Sequence, residues 1–286
     1  MGSMSLMVAL TPVAVLAEMP GEFDDVPLQT LNEIRVSFAE MTKEAQDLRW
    51  KDPNRNTRKM GQIRERAITA AFQLRQYSGR EATELIFFGL RLDDDKIRSH
   101  CLSALTDPKH PLAFPATELV LTHKQINSLK FEPEVSKELQ SRMRGVDLFF
   151  PMQAENLARG IGVFRSHPGF HPLLESAVFE IPGQQSPRQL ALGLEGSLDP
   201  VRVLQTVNMM QKHPDTFVSG SALRALRHVN GPGVFERLEK ALNSSKHVVK
   251  AGAAYALAGD GKNTPNYLNL IQQAVTAHYP QTRMYG

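Results

Sequence analysis

From residue 28 onward, apolar residues return every third or fourth position. In LQTLNEIRVSFAEMTKEAQDLRW they fall at Leu28, Leu31, Ile34, Phe38, Met41, Ala45 and Leu48, with acids on the outer face. That spacing predicts a long amphipathic helix, ended by Pro53 and the two asparagines of KDPNRN (51–56). The same period predicts helices over 61–77, 80–92 and 96–105, then over about 115–129, 133–144, 151–165 and 172–179. Pro133 and Gly145 bracket the sixth of these as start and stop signals. Further on, helices are expected over 200–211, 232–242 and 265–277. β-Branched residues sit singly within this spacing rather than in alternating runs, so strands are not expected.

The helical pattern repeats. Shifting SPRQLALGLEGSLDPVRVLQTVNMM (186–210) forward by 31 residues lays Ala191, Leu192 and Val207 on Ala222, Leu223 and Leu238. A second step of 31 carries Ala222, Ala225 and Leu226 onto Ala253, Ala256 and Leu257. Nearer the N-terminus a step of 34 lays Ile63-Arg64, Ala67 and Ala70 on Ile97-Arg98, Cys101 and Ala104. A fixed period of this length signals stacked helical hairpins, each unable to bury its apolar face alone. No low-complexity linker divides the chain. The expected organisation is a segment over 1–27 followed by one continuous repeat domain over 28–286.

Composition changes this picture little. The chain has 286 residues, 42% hydrophobic and 22% charged, with a formal net charge of +3, which indicates neither disorder nor a membrane bundle. The charge is uneven. Arg35 and Lys43 are the only bases before residue 49, whereas Arg55, Arg58, Lys59, Arg64 and Arg66 crowd the next stretch. The simplest account places the acidic first helix against that basic segment; nucleic-acid binding through 49–98 is the sharper alternative. Cys101 is the only cysteine, so no intrachain disulfide is possible, and its apolar line predicts a buried, inert thiol. Met1-Gly2-Ser3 reads as a cloning remnant. The following LMVALTPVAVLA (6–17) is too short to span a bilayer. It is either the remnant of a secretory signal, which would place the protein in a periplasm or outside the cell, or an apolar segment of a cytoplasmic chain.

Candidate chemistry is sparse. His167 and His171 are expected together in a loop around Pro168-Gly169, their imidazoles half exposed, with the Phe149-Phe150-Pro151 stretch as a buried joint. No metal site is expected there, because only Glu175 and Glu180 lie close in sequence as further ligands. Arg159-Gly160-Ile161-Gly162 lacks the third glycine of a dinucleotide fingerprint, and Gly193-Leu194-Glu195-Gly196-Ser197 lacks the lysine of a phosphate loop. No Gly-x-Ser-x-Gly elbow is present. The expectation is a chain without catalytic residues, cofactor or metal.

The repeated lines share one pattern: aliphatic then basic, a small residue, then a small residue and leucine. Ile97-Arg98…Cys101…Ala104-Leu105 carries it, and so does Val249-Lys250…Ala253…Ala256-Leu257 followed by AGDGKNTP (258–265). This resembles the HEAT-like repeats, in particular the short bacterial kind found in phycobilisome-lyase-type proteins. Ser219 and Pro187 depart from the pattern. The resemblance implies an all-α, right-handed α-α superhelix of about six or seven hairpins. It also implies that the second helices line a concave binding surface. Carried over, Gln205 and Met209 point outward from a helix burying Val203, Leu204, Val207 and Met210. Arg237 and Lys240 point outward from one burying Phe235, Leu238 and Leu242. Asn269 and Gln272 are exposed on the last, which buries Leu268, Ile271 and Val275. The implied function is a non-enzymatic scaffold or adaptor for a partner protein or peptide. A lyase-like enzyme holding a small ligand or chromophore near His167, His171 and Phe149-Phe150 is the alternative within the same fold. The iron enzymes of the family carry adjacent His-Glu pairs, and none of the nine histidines here is followed by Glu.

Overall fold

The computed structural model describes residues 28–48, 57–125, 144–181, 183, 185–197, 199–230 and 233–259. Among them the chain is all-α, with twelve α-helices and no β-strand. They are α1 (Leu28–Leu48), α2 (Thr57–Gln73), α3 (Arg80–Leu90), α4 (Asp95–Leu105), α5 (Ala113–Leu121), α6 (Pro151–Gly160), α7 (Phe170–Glu180), α8 (Gln185–Gly193), α9 (Pro200–Met210), α10 (Thr216–Arg224), α11 (Val234–Leu242) and α12 (His247–Ala258). Three-residue-per-turn segments extend α2 over Leu74–Gln76, α6 over Ile161–Phe164 and α10 over Ala225–His228. No described helix is long and apolar enough to cross a membrane. The expected helix over 133–144, but for its last residue, and that over 265–277 lie outside the described residues.

Local sequence sets the helix ends. Asp94 accepts hydrogen bonds from the Lys96 and Ile97 amides at 3.0 and 3.1 Å, Asp199 from that of Arg202 at 3.0 Å, and Asp215 from that of Phe217 at 2.9 Å. Each satisfies amides that the first helical turn leaves unpaired. Pro151 and Pro200 open α6 and α9, where a missing N–H costs nothing. Helix α5 is shorter than its apolar period suggests. It stops at Leu121 because His123 takes a left-handed conformation (φ 52°) and the Lys124 amide folds back onto the Leu119 carbonyl at 2.7 Å.

The chain divides into two compact units. In the first, α2 packs on α4, α1 on α3, and each of α1 and α3 on its sequence neighbour. Phe38, Leu74, Ile86, Phe87, Leu90, Ile97, Leu102 and Leu105 are wholly buried there. The positions aligned at the 34-residue step, Ile63, Ala67, Ala70 and Ile97, Cys101, Ala104, are all core. Arg66 pairs with Glu40 of α1 at 3.3 Å, so the acidic first helix does neutralise part of the basic segment.

In the second unit α6, α8, α10 and α12 pack one on the next, while α7 packs on α9 and α11 on α12. Ala191, Ala222 and Ala253, one per 31-residue step, are each fully buried. Small residues matter most between α10 and α12. Gly220 and Gly252 bring the two backbones into direct contact, and a Cβ on Gly220 would lie 2.6 Å from the Val248 carbonyl oxygen.

Side-chain bonds between helices recur at similar sequence separations. Arg64 Nε donates to Asp94 Oδ2 at 2.5 Å, 30 residues on, and Arg188 Nε to Asp215 Oδ2 at 2.8 Å, 27 residues on. In both, an arginine of one helix reaches the capping aspartate of the helix packed beside it. Burial alone would raise the Asp94 carboxyl; the bond from Arg64 and the amides of Ile97 and Lys96 outweigh it and hold it below the usual range. The Arg188 guanidinium also lies 4.2 Å over the Phe217 ring. Asp215→Ala removes the cap and leaves a largely buried guanidinium unpaired. It is expected to lower stability by about 2 kcal/mol in urea unfolding, against under ~0.5 kcal/mol for Asp93→Ala at an exposed turn.

Candidate partner-binding surface

Burial along the second-unit helices defines their free faces. In α9, Val203, Thr206, Val207 and Met210 are buried, leaving Val201, Gln205 and Met209 on one exposed stripe at i, i+4 and i+8. Val201 is 65% exposed and Met209 37%. Gln205 and Met209 therefore lie where the sequence places them, and Leu204 is only half-buried. Lys240 is exposed on α11, whereas Arg237 is half-buried and donates to Gln211 Oε1 at 3.2 Å. Asn269 and Gln272, with Leu268, Ile271 and Val275, lie outside the described residues.

Phe235 is a correction. It is 46% exposed, not core. Helix α11 starts at Val234, two residues later than expected, after Gly233 at φ 82°, and buries the i, i+4 pair Val234 and Leu238. Phe235 is thus turned to solvent and Leu242 is half-buried. With Phe179 of α7 (45% exposed), each of α7, α9 and α11 shows at least one large apolar side chain to water. Phe179 rests against the His213 ring at 5.2 Å.

The His167–His171 loop is a second correction. Helix α7 begins at Phe170 and takes in His171, because Pro172 falls in the first turn, where its absent N–H is not needed. His167 stays exposed, but His171 is buried and both its ring nitrogens are engaged. Thr206 donates its hydroxyl to Glu175 Oε1 at 2.9 Å, so it accepts from His171 Nδ1 at 3.0 Å; Ser197 Oγ lies 3.0 Å from Nε2. The order serine, histidine, hydroxyl, carboxylate resembles a nucleophile relay. Ser197 is only 7% exposed, however, and an attacking hydroxyl needs an open approach. The arrangement ties α7 to α9 and satisfies four polar groups. Sequence reasoning missed it because its members are 26 to 35 residues apart; the signal was one repeat length, 31 residues, between Glu175 and Thr206. Phe149 and Phe150 are half-buried, with Leu148 beneath, and His123 lies 4.4 Å from the Phe149 ring.

In the basic segment, Arg58 is exposed, Arg64 and Arg66 are held by Asp94 and Glu40, and Arg55 lies outside the described residues. Cys101 is buried as expected, and burial pushes its thiol far above the usual range. Among the described residues no group of three His, Cys, Asp or Glu side chains could hold a metal ion.

A last set of side chains joins three helices of the second unit. Tyr255 of α12 donates to Glu195 Oε1, after α8, at 3.0 Å and accepts from Arg227 Nη1 at 2.8 Å. Arg224 of α10 approaches Glu195 Oε2 at 3.4 Å and lies 4.1 Å over the Tyr255 ring. No family model matches the chain, and no curated protein is detectably similar to it.

Proposed function

We propose that the helices form HEAT-like stacks of hairpins and that the chain is a non-enzymatic scaffold, docking a partner protein on the outer faces of α7, α9 and α11. The carrying observation is the set of large apolar side chains, Phe179, Val201, Met209 and Phe235, held in water on three helices whose other faces are packed. Four such groups on three helices of one unit suit a protein interface better than a solvated surface. Gln205 and Lys240 supply a polar rim. The stack itself is supported by the side-chain bonds that recur about one repeat apart and by the burial of Ala191, Ala222 and Ala253. A small-ligand site at His171 is disfavoured, because both imidazole nitrogens already have partners.

Affinity capture with the tagged full chain tests the reading. A protein retained stoichiometrically by wild type is expected to bind Met209→Glu/Phe235→Glu at least ~10-fold more weakly, the loss of two anchors. Arg58→Glu in the first unit is expected to retain it. Equal capture by all three proteins overturns the assignment of the surface.

A further inference from the structure

Two glycine-bearing stretches that fail as phosphate loops in sequence come together in the second unit. Around them lies a groove of about 410 Å³ lined by Arg159, Gly162, Val163, Arg165, Gln189 and Leu192. Arg165 crosses it, its Nε donating to the Gly193 carbonyl at 3.1 Å. Glycines make its seat. A Cβ on Gly162 would come within 2.6 Å of Arg165 Nη2, and one on Gly196, at φ 87°, would lie 3.6 Å from its Cζ. Arg165 is exposed, and its bond to the Gly193 carbonyl orients the guanidinium while using one of its five donors. Among the described residues no carboxylate pairs with Arg165, whereas Arg159 is paired with Glu155 one turn back. Val163, 61% exposed, and half-buried Leu192 add an aliphatic wall.

We propose that this groove binds an acidic peptide segment of a protein partner, one carboxylate on Arg165 and an aliphatic side chain against Val163 and Leu192. The proposal rests on the scaffold reading and adds a contact on α6 and α8, away from α9 and α11. One unpaired guanidinium beside an apolar wall matches a carboxylate flanked by hydrocarbon. A phosphate dianion would leave charge unmatched, since Arg159 is already neutralised.

The test is fluorescence anisotropy with a labelled peptide of alternating glutamate and leucine at physiological salt. Arg165→Ala and Val163→Asp are each expected to weaken binding at least ~10-fold, and Lys212→Glu less than ~2-fold. Val163 is largely exposed, so its substitution leaves the core intact and guards against misfolding as the cause. Inorganic phosphate is expected not to displace the peptide. Unchanged binding by Arg165→Ala or Val163→Asp, an equal loss in Lys212→Glu, or displacement by phosphate overturns the proposal. Met209→Glu/Phe235→Glu is expected to bind the peptide as wild type does, which separates failure of this groove from failure of the α9–α11 surface.

Discussion

Gly252→Val is expected to destabilise the second unit by about 3 kcal/mol or more, at the upper end of what overpacking costs. Most inserted methyl groups find slack in a neighbouring side chain. Here the obstacle is backbone: a Cβ on Gly252 would collide with the carbonyl of Gly220, whose own Cβ position is blocked by the Val248 carbonyl. Relief requires α10 and α12 to move apart as bodies, opening the row that Val218, Ala222, Ala251 and Ala254 fill. A matched control is Gly61→Ala in α2, where nothing lies within 4 Å of the new atom. That change is expected to stabilise by about 0.5–1 kcal/mol through helix propensity alone. Urea unfolding of the three proteins decides it. A Gly252→Val midpoint within error of wild type would mean that the two backbones do not touch.

The second large effect is on acid stability and centres on His110. Its Nδ1 accepts from the Leu112 amide at 3.1 Å, which places the proton on Nε2; that nitrogen lies 3.1 Å from Thr83 Oγ1, whose own hydroxyl donates to the Gly79 carbonyl at 3.0 Å. Protonating Nδ1 would set two N–H groups against each other in a buried site. Burial accordingly pushes the imidazole down to about 4, with Asp107 opposing only in part. In the unfolded chain the same group titrates near ~6.5. Below that value the unfolded state takes up a proton that the folded state refuses, so stability is full above pH ~6.5 and is lost as pH falls toward 4. The total is about 3 kcal/mol, with about 2 kcal/mol already gone by pH ~5. His110→Asn keeps an acceptor for Leu112 and removes the titration. It is expected to flatten urea midpoints between pH ~7.5 and ~5; an unchanged slope would rule the imidazole out as its source. Asp94, its carboxyl lowered, acts in the same direction at lower pH, losing its contribution as pH falls through its folded value.

Helix positions and core faces were legible in the sequence because period and repeat act locally. Ala191, Ala222 and Ala253 align by eye and are all buried, and Cys101 sits where its line puts it. The errors arose where a single turn residue rotates a helix. Helix α11 begins only after Gly233 and buries Val234 with Leu238, which leaves Phe235 to water. Helix α7 begins at Phe170 rather than at the expected residue 172, Pro172 being harmless in a first turn, and this carries His171 into the core. Arg165 was passed over for a different reason: its setting depends on Gly162, Gly193 and Gly196 meeting across two helices, which no local spacing encodes.

The bond from Tyr255 to Glu195 joins residues 60 apart, about twice the separation of the Arg188–Asp215 tie. It passes over the whole α9–α10 pair. Stacks held only by adjacent contacts fray from their ends one hairpin at a time. With Tyr255 fastened to the turn after α8, and Arg224 and Arg227 of α10 closing on the same ring, α12 cannot open without loosening α10 and α8 together. Amide protons in these three helices are therefore expected to exchange with solvent as one block.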